Sequence, residues 1–299
     1  MKKLLNRKYL ALLLALLISA ASLAACAPAA QPAPAPAPAQ EPAPQAEAAP
    51  APTEAPAPEA EPVELIVFAA ASMTETMNAI AELYKAVAPH VSIVLNLDSS
   101  GTLKTQIEEG ADCDLFISAA QKQMNALDAA SDKNTDGLDF VLSDTRVNLL
   151  ENKVALVVPE GNAANVTSYE DINTDKVKLI ALGNSDVPVG QYSQEILENM
   201  GVWEAIQPKI SFGSNVKEVT SQVSEGAVDC GVVYATDAYS AGLSIVAEPP
   251  EGMLATKVVY PAAVMKASTH VEEAAAFLAY LQSAEAAAVF EGVGFSMAK

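Results

Sequence analysis

Ser72, Ser99 and Ser100 each stand where an apolar, β-forming run gives way to a helical pattern. The first run is Leu65-Ile66-Val67-Phe68-Ala69-Ala70-Ala71-Ser72-Met73-Thr74-Glu75. The second is Val91 to Leu97, followed by Asp98-Ser99-Ser100-Gly101-Thr102. A hydroxyl at a helix start lies beside backbone N–H groups that lack an intrahelical partner, and the helix dipole favours negative charge there. The chemistry on offer is capture of a small anion by uncharged donors. Ser72-Met73-Thr74-Glu75 also spells a capping box, so capping and ligand contact compete for Ser72. Val187-Pro188-Val189-Gly190 and Asn215-Val216 open two more helical patterns and supply main-chain N–H groups. Tyr234 ends an apolar strand, where it is either a phenolic donor or a half-buried core residue.

Donors of this kind select among anions. A fully deprotonated tetrahedral dianion is satisfied by donors alone, whereas phosphate near neutral pH keeps a proton that seeks an acceptor. Asp98 is the nearest carboxylate and leaves the point open. The set favours sulfate-like ions over phosphate and does not separate sulfate from molybdate or tungstate. A serine hydrolase using Ser72 or Ser100 lacks a base. The two histidines, His90 and His270, fall at a strand's lead-in and a helix's start. Neither has a second metal ligand nearby, so no metal site and no cofactor are expected.

The elements that must hold these residues alternate strand and helix from Val63 onward. Strands are expected at 64–70, 91–97 and 114–118. Helices are expected at 73–87, with Met73, Met77, Ile80, Tyr84 and Val87 near one face, from Ser100 to Gly110, and through Met124 and Leu127. Such β-α-β repetition implies a parallel sheet flanked by helices, with ligands beyond the carboxyl ends of the strands. A longer extended run, Lys153 to Pro159, opens a second set: strands 177–182, 209–212 and 228–234, helices 191–200 and 216–225. After the extended run 257–264 the chain closes with a long Ala-rich helix over 271–290. Two extended crossings flank the middle third, which predicts an α/β fold of two lobes. Lobe I takes residues 63–150 plus 260–299, and lobe II takes 151–259.

The N-terminal residues carry no such pattern. Lys2, Lys3, Arg7 and Lys8 precede the apolar run Leu10 to Ala21, the layout of an export signal over 1–25. Leu23-Ala24-Ala25-Cys26 resembles the lipobox of bacterial lipoproteins, in which Cys26 would carry the lipid. Residues 27–62 hold twelve of the 19 prolines and little besides Ala, Gln and Glu. They read with Cys26 as a tether, reaching at most on the order of 110 Å in polyproline II. Without its signal the chain has 37 acidic and 13 basic residues, a net charge of −24. Nucleic acid is a poor partner for such a chain. Charges beyond a Debye length of about 8–10 Å are screened, so an anion site can still work through local dipoles. Cys113 and Cys230 sit in apolar runs, and two buried free thiols are favoured over a disulfide.

Five segments in register resemble the periplasmic molybdate-binding component of ABC transporters. They are Val67 to Ser72, Ser99 to Leu103, Asp114 to Ala119, Val187 to Tyr192 and Gly231 to Ala238, and the likeness runs from about Val63 to Phe295. That resemblance implies a type II periplasmic-binding-protein fold, non-enzymatic and monomeric, that closes over molybdate or tungstate. It implies ligand hydroxyls from Ser72 and Ser100, a phenol from Tyr234, and N–H groups near Val189 and Val216. It makes the extended runs 148–153 and 257–262 a two-segment hinge, and it implies delivery to a membrane permease from a lipid-anchored, extracytoplasmic position. Sulfate, thiosulfate or another small oxyanion is the competing cargo. Two positions depart from the family: glycine at 101, where some relatives carry serine, and valine at 189, where some carry alanine.

Overall fold

The computed structural model describes residues 61–299. The signal segment, Cys26 and most of the tether lie outside the described residues. In chain order, β1 (Val63–Ala70) passes through a 3-10 turn (Ala71–Met73) into α1 (Thr74–Val87). Then β2 (Val91–Asp98) leads to α2 (Ser100–Glu108), and β3 (Leu115–Ile117) to α3 (Gln121–Leu127). The pair β4 (Val147–Glu151) and β5 (Val154–Val158) comes next, followed by β6 (Ile180–Gly183), α4 (Pro188–Asn199) and the short α5 (Trp203–Ile206). The chain continues through β7 (Ile210–Gly213), α6 (Val216–Ser224), β8 (Cys230–Tyr234), α7 (Ala235–Ala241) and β9 (Ser244–Ala247). It ends with β10 (Val259–Val264), α8 (Val271–Tyr280), α9 (Ala284–Gly292) and β11 (Ser296–Met297).

These strands form two sheets. One runs β11-β4-β10-β3-β1-β2, the other β7-β6-β8-β5-β9. In the first, β2, β1 and β3 are parallel, and β10, β4 and β11 add antiparallel. In the second, β7, β6 and β8 are parallel while β5 and β9 add antiparallel. Every strand in the parallel part of each sheet leads into a helix or turn of helix. The antiparallel part holds the strands on which the chain changes sheet, first at Asn152–Lys153 and again between β9 and β10. A crossover helix forces parallel pairing, and a two-residue connection forbids neighbours in the same sheet from pairing that way.

The core follows the periodicities. Leu65, Val67 and Ala69 of β1 are fully buried, and so are Met73, Met77 and Ile80, with Tyr84 nearly so, on the inward face of α1. Val87, in the last turn of α1, departs from the expected face and is 55 % exposed. The single C-terminal helix expected over 271–290 is two helices. Ser283 accepts a hydrogen bond from Ala286 N–H and caps α9 at its start. A Ser at that position offers the backbone a cap, and the break lets Phe277 and Phe290 both reach the core. Cys113 and Cys230 are free and buried, each on its own sheet's side of the molecule. Burial raises both thiols' pKa values, that of Cys230 to about 12, so neither is a reactive thiolate.

Candidate functional site

The capping box at Ser72 does not form. Because residues 71–73 make a 3-10 turn, α1 starts only at Thr74, and its cap position, Met73, has no side-chain bond. Ser72 Oγ instead lies 2.8 Å from Tyr260 Oη. Glu75, the other half of the supposed box, turns away to Lys217 at 2.7 Å. Its neighbour on the sheet edge behaves differently. Ser99 is the true cap of α2 and accepts from Thr102 N–H, leaving Ser100 as the first helical residue. Ser100 Oγ accepts a hydrogen bond from Ala119 N–H at 2.9 Å.

The second sheet brings two helix starts to the same place. Pro188 opens α4 without needing the N–H it lacks, and Val189 follows it. Asn215 caps α6 by accepting from Glu218 N–H, so Val216 is the first helical residue. One small cavity is lined by Ser72, Ser100, Val189, Val216 and Tyr234 together. All five residues singled out in the sequence therefore converge, from both sheets, on one space. The remaining lining residues are Ala, Ser99, Val187 and Pro188, with no acid, base or histidine among them.

Tyr234 is the informative member. Its ring is fully buried between Tyr192 and Tyr260, with centroids at 6.4 and 5.9 Å, and its hydroxyl has no hydrogen-bond partner among the described residues. Burial holds its pKa well above the ordinary tyrosine value, so the group is a neutral O–H donor. A buried hydroxyl with nothing to bond costs roughly 1–3 kcal/mol, which a ligand acceptor in the cavity would recover. Asp98 does not supply an acceptor there. Its Oδ1 takes Ser99 N–H at 2.7 Å and Asn215 Nδ2 at 3.1 Å.

Several contacts hold the two sheets' helices against one another around this space. Asn215 reaches Asp98, and Gln123 Nε2 approaches Gln191 Oε1 at 3.4 Å. Gly101 meets the backbone of Asp186 so closely that a Cβ there would collide with its carbonyl oxygen. Gly101 is thus a point of contact between residues of the two sheets' helices. Lys217 of α6 bridges Glu75 of α1 and Asp237 of α7, with Nζ 3.1 Å from Asp237 Oδ1, an ion-pair contact without hydrogen-bond alignment. Desolvation raises the Asp237 pKa to about 6, the Lys217 charge opposing it. Asn152, on the crossing between the sheets, donates to Tyr260 Oη at 3.2 Å and Thr236 Oγ1 at 2.9 Å.

Sequence reading missed Tyr260, Asn152, Lys217 and Asp237. Tyr260 and Asn152 fall in runs read only as connections. Asp237, an acid in an otherwise apolar strand-to-helix turn, was the one available signal. Neither Ser72 nor Ser100 bonds a histidine or carboxylate, and His270 lines a different hollow, beside Cys113 and Asp114.

Residues 65–296 match the family model described as bacterial extracellular solute-binding protein. The Bacillus subtilis lipoprotein YvgL, provisionally named an ABC transporter substrate-binding protein, is 37 % identical over 235 residues, 78 % of this chain and 86 % of that one. The molybdate-binding protein ModA of Haemophilus influenzae is 34 % identical over 238 residues, 78 % of this chain and 90 % of its own. Among solved structures, the substrate-binding domain of a provisionally assigned molybdenum ABC transporter from Clostridium difficile superposes with a TM-score of 0.59 at 37 % identity. It covers 79 % of this chain and all of that domain.

Proposed function

The chain belongs to the bacterial extracellular solute-binding proteins, a non-enzymatic family serving ABC transport, and from that premise we propose that its cargo is molybdate or tungstate. The observation that carries the reading is the cavity itself: hydroxyl-bearing residues and helix starts from both sheets, a buried Tyr234 hydroxyl without a partner among the described residues, and no carboxylate, histidine or cation in the lining. Ser72, Ser100 and Tyr234 would donate O–H bonds, and the first-turn N–H groups at Val189 and Val216 would donate the rest. The starts of α2, α4 and α6 bring their positive dipole ends to the same place, which stabilises an anion without a cation in the wall. Each hydrogen bond to a charged ligand is worth about 1.5–3 kcal/mol, and such donors act best when water is excluded.

Closure supplies that exclusion. The lobes would open at the two crossings, at 152–153 and before β10, and shut by bringing Gly101 onto Asp186 and Glu75 onto Lys217. Cys26, with the proline-rich segment behind it, would hold the protein at the outer face of the membrane beside its permease. Hinge, lipid anchor and delivery to a permease are parts of the same proposal, supported by the lipobox-like segment and by a lipoprotein among the relatives.

A thermal-shift panel of molybdate, tungstate, sulfate and phosphate tests the cargo. Molybdate and tungstate at 100 times their Kd should stabilise the protein by about 2.7 kcal/mol. A shift with sulfate and none with molybdate would make the protein a sulfate binder, and silence to all four would remove the oxyanion reading.

A further inference from the structure

The cavity's donors are not free to choose their direction, and the group that decides it lies outside the cavity wall. Asn152 Oδ1 accepts Lys153 N–H at 2.8 Å, which fixes the amide with its nitrogen towards Tyr260 and Thr236. Tyr260 Oη therefore receives a proton from Asn152, and its own proton must go elsewhere. Among the described residues its other well-aligned hydrogen-bond neighbour is Ser72 Oγ at 2.8 Å; the Tyr234 hydroxyl lies close by but makes no bond of hydrogen-bond geometry. Ser72 then accepts, and its own proton has no acceptor among the described residues. We propose that Tyr260 and Asn152 are positioning residues that commit Ser72 to donate into the cavity, and so make the site reject oxyanions that still carry a proton.

Ser100 shows the same logic by simpler means. Its Oγ accepts Ala119 N–H, a donor that cannot reverse. Both serines are thereby held as acceptors towards the protein and donors towards the ligand. Tyr260 is a hydroxyl, and a hydroxyl between two others can reverse its direction. Asn152 prevents that reversal. Its amide nitrogen has two protons and no lone pair to offer, and its oxygen is already held by the backbone. The whole chain from Lys153 N–H through Asn152 and Tyr260 to Ser72 runs one way. Hydrogen phosphate would bring its O–H against a wall of donors, whereas molybdate or sulfate would be satisfied by the same wall.

The inference rests on the oxyanion reading above, and its test separates the two. Tyr260→Phe removes the donor to Ser72 and lets that hydroxyl turn to accept. Asn152→Asp offers Tyr260 an acceptor in place of a donor, so the chain reverses and Ser72 is driven to accept from the ligand. Binding of molybdate and of phosphate is measured by calorimetric titration and by competition at pH 8, where both ions carry two negative charges and only phosphate retains a proton. The readout is the ratio of the two affinities. An added charge or a loosened fold weakens both ions together and leaves that ratio alone.

The expected result is a ratio shifted towards phosphate by about tenfold in Tyr260→Phe, the worth of one hydrogen bond to a charged ligand, and further in Asn152→Asp. Ligand-free melting curves show whether each variant folds, and if one does not, the other still decides. Wild type that binds molybdate, with variants whose ratio stays unchanged, overturns the role of Tyr260 and Asn152 and leaves the oxyanion reading intact. Wild type that binds neither ion overturns both.

Discussion

Two stretches of the cleft lie only three residues apart in the chain and work by opposite chemistry. Ser72 faces a cavity without a single charged side chain, while Glu75 joins Lys217 and the fully buried Asp237 in a cluster of three charges. The cavity is lined by neutral groups, one of them a buried Tyr234 hydroxyl without a partner among the described residues. The cluster already has its charges, and its cation is shared between the two sheets' helices. The difference teaches where a charge can be afforded in such a molecule. A lysine in the cavity would bind any anion strongly and with little discrimination, whereas neutral donors of fixed direction discriminate by proton count. Placed at Lys217, the cation ties α1 to α6 and α7 and lies outside the cavity lining.

Breaking the ionic half should have the largest effect. Lys217→Met leaves Asp237 buried with no cation and frees Glu75. Breaking one side of a buried pair costs about 3 kcal/mol, reduced somewhat here because the lysine is 28 % exposed. Urea denaturation reads it, and a loss under about 0.5 kcal/mol, the level of an exposed pair, would show the cluster to be a surface ornament. Breaking the neutral half should spare stability and hit binding. Tyr234→Phe deletes a hydroxyl that bonds nothing in the protein, so the ligand-free melting temperature should not fall. Molybdate affinity should drop by about tenfold or more. Equal affinity in calorimetry would return Tyr234 to the core. Gly101→Ala tests closure apart from either half. Its methyl collides with the Asp186 carbonyl, and overpacking of about 1–3 kcal/mol should weaken binding and raise the radius of gyration of the liganded protein in small-angle scattering.

The cluster also makes stability depend on pH. Desolvation raises the folded-state pKa of Asp237 from 3.8 to about 6. The folded protein binds more protons than the unfolded chain between those values. That contribution is therefore fully present below pH 3.8 and is lost as pH rises through about 6. The stability of wild type minus that of Asp237→Asn should fall across this window and then level off. A flat difference would mean that Lys217 holds the carboxylate charged throughout.

Much of this was legible in the sequence because its signals were local. Strand-to-helix junctions at Ser72, Ser100, Val189 and Val216 could be read from periodicity and turn residues, and in a β/α fold all such junctions gather at one edge. Tyr234 stood at a strand's end, where position alone left core and donor open, and only the family resemblance pointed to its phenol. What stayed hidden was pairing across long separations. Tyr260 lies 188 residues from Ser72, and Lys217 lies 142 from Glu75. No local pattern marks either contact. The false capping box at Ser72 has the same origin. Its letters were right, and the bond was lost to a tyrosine from the other end of the chain. The break at Ser283 was a local signal overlooked inside an alanine-rich run.

The central claim is that the anion is held by uncharged donors in a buried cavity of an otherwise acidic protein. Calorimetric titration of molybdate at low and high sodium chloride tests it most directly. Without a cation in the wall, and with a net charge of −20 on the chain, affinity should stay level or rise as salt screens the repulsion. A fall of about tenfold or more with added salt would mean that lysines hold the anion, and the neutral cavity would not be the binding site.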